Sequence, residues 1–289
     1  MNQFTPVDRD SLWGVASLSD GEFREIAAML HQEARISLTP QKATLVRSRL
    51  SRRLREQGLK SFSDYIALVR RDLAERRQMI ELLTTNHTHF FREQHHFNHL
   101  HKEMVPFWRG RSAREPVRIW SAASSSGEEV YTIAMTLLGQ DLREAQWVRS
   151  AGLQLFATDI SEEMVKAVRK AEYPKGHLEQ IPQPYRKLWT RDAKDGFAIA
   201  PEAGNLVTAS QLNLFERWPW RHTFEAIFCR NVMIYFNEEA KTELEMRLVA
   251  QLAPGGALYI GHSERLLSKA KDFMIPCGHT MYRKPETMR

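Results

Sequence analysis

The sequence predicts an α/β fold: a mostly parallel sheet covered by helices on both faces, preceded by an all-helical domain and interrupted by a small inserted β-subdomain. Three observations lead there. Helical periodicity fills roughly the first 85 residues, short apolar runs alternate with helical segments from 115 onward, and a proline-bearing stretch at about 172–208 breaks that alternation.

The N-terminal helices announce themselves by their caps. Ser19 with Glu22 reads as a capping box, followed by Phe23, Ile26, Ala27 and Leu30 at helical spacing. Thr39 and Pro40 read as N-cap and first helical position of a second helix with the stripe Val46, Leu50 and Leu54, and Gly58 stands where it should stop. Ser61 with Asp64 opens a third helix carrying Tyr65, Leu68 and Val69, and a fourth runs through Met79, Ile80, Leu82 and Leu83. Residues 86–114, rich in His, Phe and Arg, form a connector, partly helical.

Beyond it, four apolar runs read as strands: Val117-Arg118-Ile119-Trp120, Leu153-Gln154-Leu155-Phe156-Ala157, Ala226-Ile227-Phe228-Cys229 and Ala257-Leu258-Tyr259-Ile260. Helical patterns lie at about 128–139, 161–170 and 238–252. Within 172–208, short β-like pieces such as Gly196-Phe197-Ala198-Ile199-Ala200 fit an inserted hairpin better than another strand–helix unit.

Composition narrows the class. Of 289 residues, 43% are hydrophobic and 26% charged, ordinary for a folded soluble protein. No apolar stretch approaches the ~18–20 residues needed to cross a bilayer, and the start MNQFTPVDRD lacks a secretory pattern, so a cytoplasmic location is expected. The two cysteines, Cys229 and Cys277, support neither a disulfide framework nor a zinc site. A net charge of +6 favours acidic partners without distinguishing nucleic acid from protein.

Ligands of open α/β sheets bind beyond the carboxyl ends of the strands. Three segments lie at such ends. In Trp120-Ser121-Ala122-Ala123-Ser124-Ser125-Ser126-Gly127-Glu128-Glu129, small residues and Gly127 let the backbone approach a ligand, and the helix opens on two acids. Those acids would repel a pyrophosphate and suit a cation with an ammonium and a sulfonium, such as S-adenosylmethionine; simple helix capping is the other reading. Asp159 is placed to accept from ribose hydroxyls, or to cap the next helix. Arg230-Asn231, ending the run from Ala226, puts an arginine where it must meet an acid or a ligand.

These segments, with Thr85-Asn86-His87-Thr88-His89-Phe90-Phe91-Arg92-Glu93, the extension Val232-Met233-Ile234-Tyr235-Phe236 and Gly261-His262-Ser263-Glu264, together resemble the chemotaxis receptor (methyl-accepting chemotaxis protein) glutamate O-methyltransferase family, in order and over most of the chain. The resemblance implies a class I methyltransferase, Rossmann-like domain that uses S-adenosylmethionine, yields S-adenosylhomocysteine and needs no metal. It implies a tail at 1–14, a helical receptor-recognition domain at 15–85, a connector at 86–114 contributing to the cofactor site, and the S-adenosylmethionine-binding domain at 115–289 with its insert at about 172–208. Asn86, Thr88 and Arg92 would reach over the cofactor. Gly127 would lie in its loop, Glu129 face its methionine end, and Asp159 its ribose. Asn213 and Leu214 would flank the adenine. Arg230 and Asn231 would line the site beneath the methyl group with Tyr235 close by, and Arg92, Arg230 or Tyr235 would position the acceptor carboxylate.

The expected partners are glutamate-rich cytoplasmic helices of chemoreceptors. Arg47, Arg49, Arg52, Arg53 and Arg55 lie on one helix with no acid between them, and would present a cationic face. Some family members dock a receptor-tail pentapeptide through a glycine-rich loop of the inserted subdomain. Arg191-Asp192-Ala193-Lys194-Asp195-Gly196-Phe197 is shorter and lacks that character, so pentapeptide-independent recognition is expected. Two rivals remain: a nucleic-acid methyltransferase, disfavoured because Arg-Asn-Val-Met replaces an Asn/Asp-Pro-Pro-Tyr/Phe turn, and a non-catalytic signalling scaffold. His95 and His99, at i and i+4, are the one spacing suggestive of metal; packing histidines are the preferred reading.

Overall fold

The computed structural model describes residues 17–110, 116–267 and 269–286, so the expected tail at 1–14 and part of the connector's end lie outside the described residues. The chain divides into two units, Met1–Thr85 and Asn86–Arg289. Among the described residues no helix is long and apolar enough to cross a membrane.

The first unit is helical. Helix α1 (Asp20–Ala34) begins at the capping box, Ser19 Oγ accepting from the Glu22 amide and Glu22 from the Ser19 amide. Pro40 opens a 3-10 turn (Pro40–Lys42) that runs into α2 (Ala43–Glu56). Ser61 caps α3 (Phe62–Arg71), and Asp72 caps α4 (Leu73–Leu83) through the Ala74 and Glu75 amides. The core is Phe23, Ile26, Leu30, Val46, Leu50, Leu54, Phe62, Tyr65, Ile66, Val69, Met79 and Leu83. Leu68 and Leu82, expected in it, are only half-buried, because the inward arc of α3 falls on Tyr65, Ile66 and Val69 and that of α4 on Met79, Ile80 and Leu83.

The free cationic face expected on α2 is only partly there. Arg53 donates from Nε and Nη2 to the two oxygens of Glu75 at 2.9 and 2.6 Å, and Glu75, 5% exposed, also accepts from Tyr65 Oη at 2.9 Å. Arg49 caps the end of α4, donating to the Leu82 and Thr84 carbonyls at 3.1 and 2.8 Å. Two of the five arginines thus serve the unit's interior, because their partners come from α4. Arg52 and Arg55 are exposed, Arg52 paired loosely with Glu56, and Arg47 is half-buried.

The second unit opens with α5 (Gln94–His99), a π turn (Leu100–Met104) and α6 (Val105–Gly110). Strands β1 (Arg118–Ala122), β2 (Gln154–Asp159), β6 (Val207–Gln211), β7 (Phe224–Cys229), β8 (Leu252–Ile260), β9 (Ile275–Gly278) and β10 (Met281–Arg283) form one sheet in the order β6-β2-β1-β7-β8-β10-β9. The first five are parallel, and β10 runs antiparallel to both β8 and β9. Helices α7 (Glu128–Leu138), α9 (Glu162–Lys170) and α12 (Glu238–Gln251) pack against it, and the short α8 (Gln146–Ser150) precedes β2. Phe97 of α5 stacks on Phe228 of β7, which stacks on Tyr259 of β8, fixing the connector to the sheet.

The inserted subdomain is a separate three-stranded sheet, β3 (Glu172–Pro174), β5 (Gly196–Ile199) and β4 (Thr190–Ala193), with α10 (Gln183–Trp189) between β3 and β4. A two-residue turn, Lys194-Asp195, joins β4 to β5. The small sheet closes at Ile199, and after the single turn α11 (Pro201–Gly204) the chain enters β6, so the expected end of the insert near 208 overruns it. The reason is pairing: Val207 and Thr208 already lie in register with Leu155 and Phe156 of β2.

The Glu75 cluster carries a stability prediction. Glu75→Ala leaves the Tyr65 hydroxyl without its acceptor and Arg53 with Glu56 alone, and should destabilise the helical unit by about 3 kcal/mol. Amide exchange in α2–α4 of the full chain reads this directly; unchanged protection would contradict it.

Candidate functional site

Strand β1 has β2 and β6 on one side and β7 on the other, so the winding reverses at β1 and opens a crevice at the carboxyl ends. Every segment singled out by sequence for the sheet's rim ends there.

Arg230 follows β7 directly, and its side chain is 2% exposed. A guanidinium so deeply buried costs several kcal/mol unless paired. Nη1 donates to Glu129 Oε2 at 2.9 Å, Nη2 lies 3.3 Å from Glu93 Oε2, and Nη2 also donates to the Arg92 carbonyl. Glu129 spends its other oxygen on Ser121 Oγ at 2.7 Å. One arginine thereby joins the connector, the end of β1, the start of α7 and the end of β7.

Glu93 is the second hub. Its Oε1 accepts from the His262 amide at 3.2 Å, lies 3.1 Å from His262 Nδ1, and accepts from Asn231 Nδ2 at 3.4 Å. Burial by itself would raise its carboxyl, but Arg230 and His262 overcome this and hold it down at about 2. Two carboxylates therefore face one guanidinium, leaving this cluster one negative charge in excess.

Asn231 adopts a left-handed backbone, φ 59°. Its amide donates to Glu264 Oε2 at 3.1 Å, an acid only 6% exposed whose carboxyl burial pushes up, backbone amides of Gly261 and of the Asn231 turn countering only part of this. Gly261 passes so close that a Cβ there would sit 2.4 Å from Asn231 Nδ2 and 2.7 Å from its backbone nitrogen.

The β1–α7 loop turns through left-handed residues at Ala123, Ser125 and Gly127. It is locked by Asp159, whose Oδ2 accepts from the Ser125 amide at 2.8 Å and Oδ1 from the Ser161 amide at 3.0 Å. Asp159 is not the cap of α9; Ser161 is. Gly127, φ 99°, was expected to admit a ligand; an added Cβ would instead meet Tyr173 Oη at 3.0 Å and Val168 at 3.1 Å, so the close approach is to β3 and α9. The neighbouring Glu128 turns away from Arg230, accepting from Ser126 Oγ at 2.6 Å.

The connector crosses this loop, the Asn86 carbonyl accepting from Ser125 Oγ at 3.0 Å. Thr88 and Arg92 are half-buried in the same connector; Arg92 folds back, its Nη1 donating to the His87 carbonyl at 3.1 Å. Asn213 and Leu214 follow β6, whose end is tied to β2 by the Leu212 amide on the Asp159 carbonyl. The Asn213 side chain accepts from the Phe215 amide at 3.0 Å, and the Leu214 side chain is buried. Tyr235 is half-buried on the 3-10 turn Met233–Tyr235.

Sequence reasoning gave no role to Glu93, Ser121, Ser125, His262 or Glu264. The available signal was the buried arginine itself, which demanded acids, and both Glu93 and Glu264 stood in the quoted runs. Cys229 is fully buried, and burial, with Glu264 and Glu129 adding to it, pushes its thiol well up, so it is no nucleophile. His95 and His99 do not converge: His95 Nε2 meets the His279 carbonyl at 3.1 Å and His99 Nδ1 meets Tyr259 Oη at 2.9 Å.

Comparison with known proteins places these features in context. Residues 86–282 match the CheR methyltransferase, SAM binding domain, and residues 21–84 the CheR methyltransferase, all-alpha domain. A probable chemotaxis protein methyltransferase of Rhizobium etli is 40% identical over 263 residues, covering 88% of this chain and 96% of that protein. Chemotaxis protein methyltransferase 2 of Pseudomonas aeruginosa is 39% identical over 266 residues, with 90% and 92% covered. The chemotaxis protein methyltransferase of Escherichia coli is 37% identical over 274 residues, with 92% and 91% covered.

Proposed function

The chain belongs to the CheR methyltransferase family, and on that footing we propose that it esterifies glutamate side chains of chemoreceptor helices in the cytoplasm, using S-adenosylmethionine. The observation that carries the reading is the charge at the crevice: Glu93 and Glu129 against a single Arg230, with Asp159 at the next strand end. A dinucleotide's phosphates would be repelled there, whereas an ammonium and a sulfonium are complemented.

Glu129 and the Arg230-Asn231 turn would hold the donor's methionine end, Asp159 its ribose, and Asn213 and Leu214 its adenine, with Asn86, Thr88 and Arg92 covering it. Bound there, the donor supplies a methyl group on a sulfonium whose departure leaves a neutral thioether. The acceptor glutamate, with an ordinary pKa of about 4.3, is already an anion near neutrality, so no general base is required. The protein's task is to bring that carboxylate to the methyl group and exclude water. Arg92 suits this role: among the described residues its guanidinium meets the His87 carbonyl and no acid, so its charge is available to an incoming acid. Arg230, held by two carboxylates and the Arg92 carbonyl, positions the turn that carries Tyr235.

For the receptor, the cationic surface narrows to Arg52 and Arg55, with Arg47 at its edge. Arg49 and Arg53 are held within the helical unit. The tight Lys194-Asp195 turn supports recognition without a tail pentapeptide; micromolar binding of such a peptide would contradict it.

Incubation with methyl-labelled S-adenosylmethionine and receptor-bearing membranes, then alkaline hydrolysis, should release labelled methanol, as glutamyl esters do; label resistant to base rejects the reading. In the same assay Arg92→Ala should cut turnover about a hundredfold with S-adenosylhomocysteine affinity nearly unchanged. Arg52→Glu with Arg55→Glu should instead lower the rate several-fold in a salt-dependent way. An unchanged rate in either variant removes the role assigned to it.

A further inference from the structure

Next to the Arg230 cluster the connector carries two imidazoles, His95 and His96, to which the proposed methyl transfer gives no role, beside Glu93 of that cluster. His96 is fully buried, and its Nε2 lies 2.9 Å from Thr280 Oγ1. That hydroxyl donates its own proton to the His279 carbonyl at 2.7 Å, so towards His96 it can only accept. The His96 proton therefore sits on Nε2 and the lone pair on Nδ1. Nδ1 faces Glu93 Oε2 at 3.6 Å, and neither atom has a hydrogen-bond partner among the described residues. Two acceptors turned towards each other inside a protein repel unless a cation lies between them.

His95 repeats the pattern. Its Nε2 is 3.1 Å from the His279 carbonyl, which can only accept, so here too the proton is on Nε2 and the lone pair on Nδ1. One nitrogen of each imidazole and one oxygen of Glu93 lie within 4.8 Å of one another.

We propose that Glu93, His95 and His96 form a site for a divalent transition-metal ion. Two neutral imidazoles and one carboxylate suit Zn²⁺, Ni²⁺ or Cu²⁺ and not the oxygen-seeking Mg²⁺ or Ca²⁺. Ligand atoms of such an ion lie about 2.0–2.2 Å from it, so on binding the three side chains draw together from separations of up to 4.8 Å.

The site is coupled to the crevice through one atom. Glu93 Oε2 is also the oxygen 3.3 Å from Arg230 Nη2, so ion and guanidinium compete for it. A bound metal loosens the hold of the connector on Arg230 and antagonises the neighbouring cofactor site. This second consequence rests on the S-adenosylmethionine reading; metal binding itself does not.

The test is calorimetric titration of Zn²⁺ into the full chain carrying Cys277→Ser, which removes an exposed competing thiol. One site is expected. His95→Ala, made at a half-buried position, should weaken it about tenfold or more, while His101→Ala leaves it unchanged. Absence of binding, or binding indifferent to His95→Ala in a variant with unaltered circular dichroism, overturns the site. Saturating Zn²⁺ should also weaken S-adenosylhomocysteine binding about tenfold; full Zn²⁺ occupancy with no such effect overturns the antagonism.

Discussion

A guanidinium in the interior is tolerated only where acids and carbonyls surround it, and Arg230 imposes that demand on the whole carboxyl rim of the sheet. Its partners come from places far apart in sequence: Glu129 at the start of α7, Glu93 and the Arg92 carbonyl in the connector. Once they meet, the rest is constrained. Glu93 fixes His262 and Asn231; Asn231 in its left-handed turn presses on Gly261; Glu264 closes the turn from below. The rim is a network of mutually dependent parts, which is why its residues lie in five short runs separated by ordinary scaffold.

The same network sets the electrostatics. With two carboxylates on one arginine and Asp159 holding the adjacent loop, the crevice is acidic in a chain whose net charge is +6. The cations lie elsewhere, among them Arg52 and Arg55 on α2. The acidic rim and the exposed Arg52 and Arg55 thus belong to different units of the chain.

Much of this was legible in the residues because it is local. Continuous apolar runs gave β1, β2, β7 and β8, and cap residues gave α1, α3 and the start of α7. Strand β6 was not read: Val207-Thr208-Ala209-Ser210-Gln211 has no apolar run and only a short, weak alternation through Val207 and Ala209, and it is fixed as a strand by pairing with β2. The small β9 and β10 were hidden for the same reason. Side-chain fate was least legible. Arg53 looked like solvent-facing charge because Glu75, its partner, lies 22 residues on in another helix. Gly127 pointed to a ligand, while the space it leaves is filled by Tyr173 and Val168. Arg230 was the opposite case, since its burial on a strand end implied an acid before any acid was identified.

The central claim is that the forked geometry of Arg230, and not merely its charge, assembles the cofactor crevice. Lysine keeps the charge but lacks the planar fork whose separate nitrogens reach Glu129 on one side and Glu93 with the Arg92 carbonyl on the other. Calorimetric titration of S-adenosylhomocysteine into Arg230→Lys, with folding verified by circular dichroism, measures the difference. Affinity reduced about tenfold or more is expected; affinity equal to that of the unaltered chain would contradict the account.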